Sequence, residues 1–92
     1  MTDTKPIRRI AIIGTGVIGA SWTALYLARG LQVVATDIAP NAEAGLRKFV
    51  ETAWPALKRL GLSPGASQSN PKFTADLAEA IDSTDLVQEN GA

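Results

Sequence analysis

The first apolar run along the chain is Ile7, Ile10, Ala11, Ile12 and Ile13, closed by Gly14. It is short, nearly continuous and β-branched, which predicts a strand buried on both faces, as in a parallel sheet. From Val17 the period changes. Ile18, Trp22, Leu25 and Ala28 or Arg29 fall at helical spacing, with Ala20, Ala24 and Ala28 as small contact positions. Gly30 follows the basic Arg29 and suits a helix end, so a helix is expected over about Val17 to Arg29. Leu31 to Asp37, centred on Val33, Val34 and Ala35, predicts a second strand. Ile38 to Asn41 is a connection in which Asn41, or the segment beside it, caps the next helix. The clearest amphipathic stretch runs from Ala42 to Leu60, where Leu46, Phe49, Val50, Ala53, Trp54, Leu57 and Leu60 recur at steps of three and four. Pro55 lies inside it and removes one backbone bond. The apolar stripe keeps its phase across the proline, which favours one kinked helix over two.

Ser63 to Pro71 is a polar loop rich in turn residues. Lys72 to Ala75 reads as a short third strand, Leu77 to Ile81 as a short helix capped by Asp76, and Leu86 to Gln88 as a fourth strand. The order is β-α-β-α-β-α-β. Such alternation implies an α/β fold with a parallel sheet and right-handed crossovers.

The candidate chemistry lies at the first turn. Gly14-Thr15-Gly16-Val17-Ile18-Gly19 is a G-x-G-x-x-G run, placed after a buried strand and at the start of a helix. Gly14 permits the tight turn, Gly16 lets a pyrophosphate approach the backbone, and Gly19 permits close packing of helix on strand. The free N–H groups of the helix's first turn then face the diphosphate. Asp37 ends the second strand eighteen positions after Gly19. A carboxylate there accepts the hydroxyls of an adenosine ribose and repels a 2′-phosphate. No Arg or Lys occurs from Ile38 to Ala42 to offset it, which favours NAD over NADP. Ile38 beside it, and Asn90 and Gly91 at the end of the fourth strand, complete the expected cofactor set. A plainer reading stands beside each assignment. The glycines can serve a tight turn alone, Asp37 can be a turn or cap residue, and Glu89 and Asn90 can be a solvated strand end. Trp22 and Trp54 are expected in the core or at a subunit contact, not against a ligand.

Composition narrows the function further. The 92 residues carry 9 Lys+Arg against 9 Asp+Glu, and 46% of them are hydrophobic. That is an ordinary globular balance for one domain, with the thin stability margin of a short chain. Zero net charge argues against a nucleic-acid groove binder or a polybasic membrane anchor. There is no Cys and no His, which removes thiolate metal sites, the usual general base and every Ser-His triad. No metal site and no catalytic residue is assigned. The start of the chain lacks the apolar core of a signal peptide, and no apolar run is long enough to span a membrane, so a cytoplasmic protein is expected.

Ile10 to Gly19, Val33 to Asp37, Phe73 to Leu77 and Asp85 to Asn90 resemble the 3-hydroxyacyl-CoA dehydrogenase family. Ala53 to Leu57, Gly61 to Ala66 and the Val-Gln-Glu-Asn segment look most like its carnitine-oxidising branch. The resemblance implies a Rossmann-type sheet in the order 3-2-1-4, forming the first half of an NAD-binding domain. It further implies hydride transfer from a 3-hydroxyl group to NAD, on carnitine or a hydroxyacyl-CoA. Gly14, Gly16, Gly19 and Asp37 match the family's dinucleotide residues. The family's catalytic His–Glu pair, its substrate-contacting Ser and Asn, and its dimer-forming helical C-terminal domain have no counterpart here. By that comparison these residues are the start of a longer homodimeric enzyme, and alone they are expected to be inactive. Two other classes are weighed beside this one. One is a non-catalytic NAD-binding module. The other is a methyltransferase, against which the glycine spacing at the helix start argues.

Overall fold

The computed structural model describes residues 6–69, 71–82 and 84–90. Seven elements follow in chain order: β1 (Arg9–Ile13), α1 (Val17–Ala28), β2 (Gln32–Thr36), α2 (Ala42–Leu60), β3 (Lys72–Phe73), α3 (Leu77–Ile81) and β4 (Leu86–Glu89). The strands form one parallel sheet in the order β3-β2-β1-β4. This is the order that the family resemblance implies, and it is compatible with right-handed crossovers that pack each helix back on the sheet.

Register decides where the strands end. Ile10 lies beside Val33 on one side and Leu86 on the other, and Ile13 lies beside Thr36 and Glu89. The C-terminal ends of β1, β2 and β4 therefore open on one rim. The core between sheet and helices is built from Ile10, Ile12, Leu27, Val33, Leu46 and Val50, all buried, with Ala20, Ala24 and Ala35 filling the close approaches. At ~25 cal/mol per Å² of apolar surface, each of the large side chains contributes on the order of 1.5–3 kcal/mol.

α2 runs unbroken through Pro55, as its constant apolar phase predicts. It buries Leu46 and Val50, and Phe49, Trp54 and Leu57 pack half-buried against the core. Trp22 departs from expectation as a core residue. It is 41% exposed on α1 and stacks on Tyr26 with ring centroids 5.6 Å apart. α1 is apolar on more than one face, so spacing alone did not say which face meets the sheet. Ala20, Ala24 and Leu27 meet it, because small residues let the backbones approach.

Three local expectations need correction. Asn41 stands at the α2 N-cap position, but its backbone is left-handed (φ 63°) and its side chain makes no capping bond. Its carbonyl accepts the Gly45 N–H at 3.0 Å instead. β3 stops at Phe73, short of Ala75, because Thr74 Oγ1 accepts the Asp76 N–H at 3.1 Å and the chain turns toward α3. β4 extends one residue further than expected, to Glu89. Asp76 does cap α3: its Oδ1 accepts the Glu79 N–H at 3.2 Å. Among the described residues no helix is long and apolar enough to cross a membrane. β4 lies at the sheet edge, with Leu86 and Val87 exposed.

Candidate dinucleotide site

The glycine run makes the corner between β1 and α1. Gly14 has φ 91°, a backbone that side-chain-bearing residues rarely adopt, and donates its N–H to the Thr36 carbonyl at 2.9 Å. The corner is thereby fastened to the end of β2. Gly19 packs against it from the first turns of α1. A Cβ on Gly19 would stand 1.9 Å from the Gly14 carbonyl oxygen, so no other residue fits without moving backbone. Gly16 is the opposite case: a Cβ there would meet nothing within 4 Å. Its lack of a side chain serves no packing within the fold. It leaves open the space directly before the helix.

That helix start is itself unfinished. α1 has no side chain capping its N-terminus and no acidic residue in its first turn. The first N–H groups of a helix have no intrahelical partner and carry the positive end of its dipole. An uncapped start behind an open glycine is a seat for an anion, and a diphosphate has the right charge and size.

Asp37 follows β2 directly and faces this corner. Its Oδ2 accepts the Thr15 N–H at 2.6 Å and the Thr15 hydroxyl at 3.1 Å, while Oδ1 accepts the Ala39 N–H at 2.8 Å. The Thr15 N–H is the largest influence and the Ala39 N–H the next, and together they hold the carboxyl below its ordinary value of 3.8 against a smaller opposing effect of burial. The side chain is thus an anion at neutral pH, oriented from two sides. The plain reading of Asp37 as a turn residue is true as far as it goes, since it does tie the loop. It also leaves a fixed carboxylate at the rim beside the glycine corner.

Gly14, Gly16, Asp37, Ile38 and Asn90 come together around one cavity of about 440 Å³, which Leu77 closes from the far side. Thr15 reaches it through Asp37, and Gly19 shapes it from below. Val17 and Ile18 do not line it: their side chains point to solvent from the first turn of α1. Gly91 lies outside the described residues. Sequence reasoning missed Ala75 and Leu77, which line the cavity where β3 passes into α3. The signal was available, because ligands of parallel sheets bind beyond the carboxyl ends of the strands.

Asn90 follows β4 at the same rim, its N–H bonded to the Ile13 carbonyl at 2.8 Å. Tyr26 donates its hydroxyl to Gln88 Oε1, and Gln88 donates to Asn90 Oδ1 at 3.1 Å. The chain of bonds sets the amide so that Nδ2 turns toward Gly19, where it is buried and has no partner. A buried donor without an acceptor is costly, and such groups gather where a ligand or a moving segment completes them. An open glycine, an uncapped helix, an oriented carboxylate and an orphaned amide all fit NAD. Among the described residues no group of three or more acidic, His or Cys side chains could hold a metal ion.

A parallel 3-2-1-4 sheet with this corner and this carboxylate defines a dinucleotide-binding fold of the Rossmann type. The sequence pattern of the 3-hydroxyacyl-CoA dehydrogenase NAD binding domain matches residues 9–92, and the chain belongs to that family as its NAD-binding domain. An L-carnitine dehydrogenase of Pseudomonas putida is 52% identical over 84 residues, 91% of this chain and 26% of that protein. The crystal structure of 5-formyl-3-hydroxy-2-methylpyridine 4-carboxylic acid 5-dehydrogenase, an NAD+-dependent dismutase, superposes with a TM-score of 0.80 at 38% identity, over 95% of this chain and 28% of that one. (S)-3-hydroxybutyryl-CoA dehydrogenase from Ralstonia eutropha gives a TM-score of 0.77 at 26% identity, over 95% and 32%. The chain therefore spans about a quarter of the length of the carnitine relative it matches.

Proposed function

We propose that this chain is the cofactor-holding part of an oxidoreductase that converts L-carnitine to 3-dehydrocarnitine. The observation that carries the substrate is the 52% identity to a protein named L-carnitine dehydrogenase, over nearly the whole chain. The geometry supports the division of labour. The backbone of Gly14, Thr15, Gly16, Val17, Ile18 and Gly19 receives the diphosphate. Asp37 holds the adenosine ribose, and Ile38, fully exposed beside it, gives the base an apolar surface. Asn90 borders the other half of the dinucleotide. Bound NAD supplies a hydride acceptor at C4 of its nicotinamide. The residues of this chain bind and orient the cofactor and shield it. With no His in the sequence, and Glu89 exposed at the strand end, taking the alcohol proton falls to the remainder of the enzyme. We further propose that these residues form the first part of an NAD domain that continues into a helical, dimer-forming one. The metabolic character of the bacterial relatives supports a cytoplasmic site of action. A hydroxyacyl-CoA substrate is the second reading, supported by the likeness to the hydroxybutyryl-CoA enzyme at the lower identity of 26%.

The cofactor is tested by titrating NAD into the chain and into Asp37→Ala. Loss of charge-assisted bonds to the ribose should weaken binding by about 10–100-fold, which corresponds to ~1.5–3 kcal/mol. Equal binding by the two proteins would remove Asp37 from the site. The substrate is tested on an enzyme carrying this domain, followed by the absorbance of reduced cofactor. Turnover of 3-hydroxybutyryl-CoA without turnover of L-carnitine would reverse the order of the two readings.

A further inference from the structure

A second cavity, about 760 Å³, opens on the other side of Asp37, between the end of β2 and the first turns of α2. Asp37 and Ile38 line both cavities, so the second continues the first outward past the carboxylate. It is the space into which a substituent on the 2′-oxygen of a ribose held by Asp37 would extend. Three charged side chains line it: Asp37, Glu43 and Arg47. Arg47 is its one cation among the described residues, and that cation is engaged. Its Nη2 lies 3.0 Å and its Nε 3.2 Å from Glu43 Oε2, one helical turn earlier.

From these observations we propose that the Glu43–Arg47 pair is a specificity device, which withholds from the adenosine cavity the one side chain that could receive a 2′-phosphate. The proposal rests on the reading of Asp37 as the ribose acceptor and extends it. Asp37 repels a phosphate directly. Glu43 acts one step removed: it holds Arg47 through Nε and Nη2, so the guanidinium meets a second anion with part of its donors and charge already engaged. The three side chains then sum to one net negative charge, with the cation paired to Glu43. The sequence showed only that residues 38–42 hold no cation. Helical geometry is what returns position 47 to the same space. Arg47 also lines a third cavity, together with Lys72 and Glu79. The pair is half-exposed, so its own contribution to stability is small, and its effect should be read in ligand discrimination instead.

The test measures dissociation constants of NAD and NADP for the full chain by calorimetric titration, in wild type, Glu43→Gln, Asp37→Ser, Asp37→Ser/Glu43→Gln, and that double variant with Arg47→Leu. The quantity compared is the ratio of the NADP constant to the NAD constant, which a general loss of stability does not move. Glu43→Gln should lower the ratio about 3–5-fold, and about tenfold in the Asp37→Ser background, where a freed guanidinium pairs with the phosphate. Arg47→Leu should cancel the gain, and added salt should shrink it. A ratio unchanged by Glu43→Gln in both backgrounds overturns the proposal, as does a gain that survives Arg47→Leu. Wild type that binds neither cofactor sinks the NAD reading itself, and the proposal with it.

Discussion

α1 and α2 are the two long helices of this protein, and they are finished in opposite ways. α2 reads as an ordinary surface helix. It carries Glu43 in its first turn, Lys58 and Arg59 in its last, buries Leu46 and Val50 on one side, and shows charge on the other. α1 has no charged residue along its length, no cap and no acid at its start, and exposed apolar side chains at Ile18, Trp22 and Leu25. The difference follows from what each end must meet. The start of α2 also lacks a side-chain cap, but it carries Glu43 in its first turn, and its Ala42 N–H is taken by the Ala39 carbonyl at 3.2 Å. The start of α1 faces the cavity, and its unpaired N–H groups are left for an anion that the chain does not supply. An element that looks poorly completed by the rules of helix stability is here the one proposed to bind.

The comparison can be broken most severely at Gly19, the residue that seats α1. Gly19→Val places side-chain atoms on the Gly14 carbonyl, which has no room to withdraw. The cost should exceed ~4 kcal/mol, enough to leave so small a domain unfolded by circular dichroism. The two helices then separate by leucine. Leu46 of α2 is 1% exposed, and Leu46→Ala should cost about 2–5 kcal/mol. Leu25 of α1 is 37% exposed, and Leu25→Ala should cost under ~1 kcal/mol in the same urea melts. Equal costs would mean that the outer face of α1 is packed in solution.

A gentler variant gives α1 the side-chain cap and the first-turn charge that it lacks. Gly16 has an extended backbone (φ −65°, ψ −167°) and open space around it, so Gly16→Asp supplies the missing N-cap without strain. Stability should stay level or rise by a few tenths of a kcal/mol, roughly the difference between glycine and aspartate at that position. NAD binding should be lost, because the new carboxylate occupies the anion's place. A variant that is more stable and still binds NAD normally would show that the uncapped helix has no part in binding. The smallest expected effect is one of pH. Asp37 is held below its ordinary value of 3.8, so its contribution to stability is complete above that value. It falls away only as the pH drops through the lower folded-state value. Thermal melts from pH 5 down to pH 2 should lose more stability in wild type than in Asp37→Asn over that acid window alone.

Much of this was legible along the chain. The alternation of strands and helices, the glycine corner and the carboxylate at the end of β2 are local facts. Each rests on a repeat, a turn or a spacing that backbone geometry imposes within a few residues. Side-chain direction was only partly legible in α1. The small contact positions Ala20, Ala24 and Ala28 are buried as read, whereas Ile18, Trp22 and Leu25, which also fall at helical spacing, lie exposed, and only packing separated the two sets. The same holds for Asn41, whose left-handed backbone turns an expected cap away from the helix it precedes.

The sequence by itself determined the order of elements along the chain and the identity of the corner residues, because hydrophobic period and turn chemistry act locally. The 3-2-1-4 strand order came from the family resemblance, since right-handed crossovers also permit other orders. Tertiary structure alone decided what meets at the rim. It tied Asp37 to Thr15, turned the Asn90 amide beneath Gly19 through Tyr26 and Gln88, and brought Arg47 into the cavity beside Asp37. Those meetings join residues from different elements, some more than sixty positions apart in the chain. Strand register and helix packing create them, and no local pattern records either.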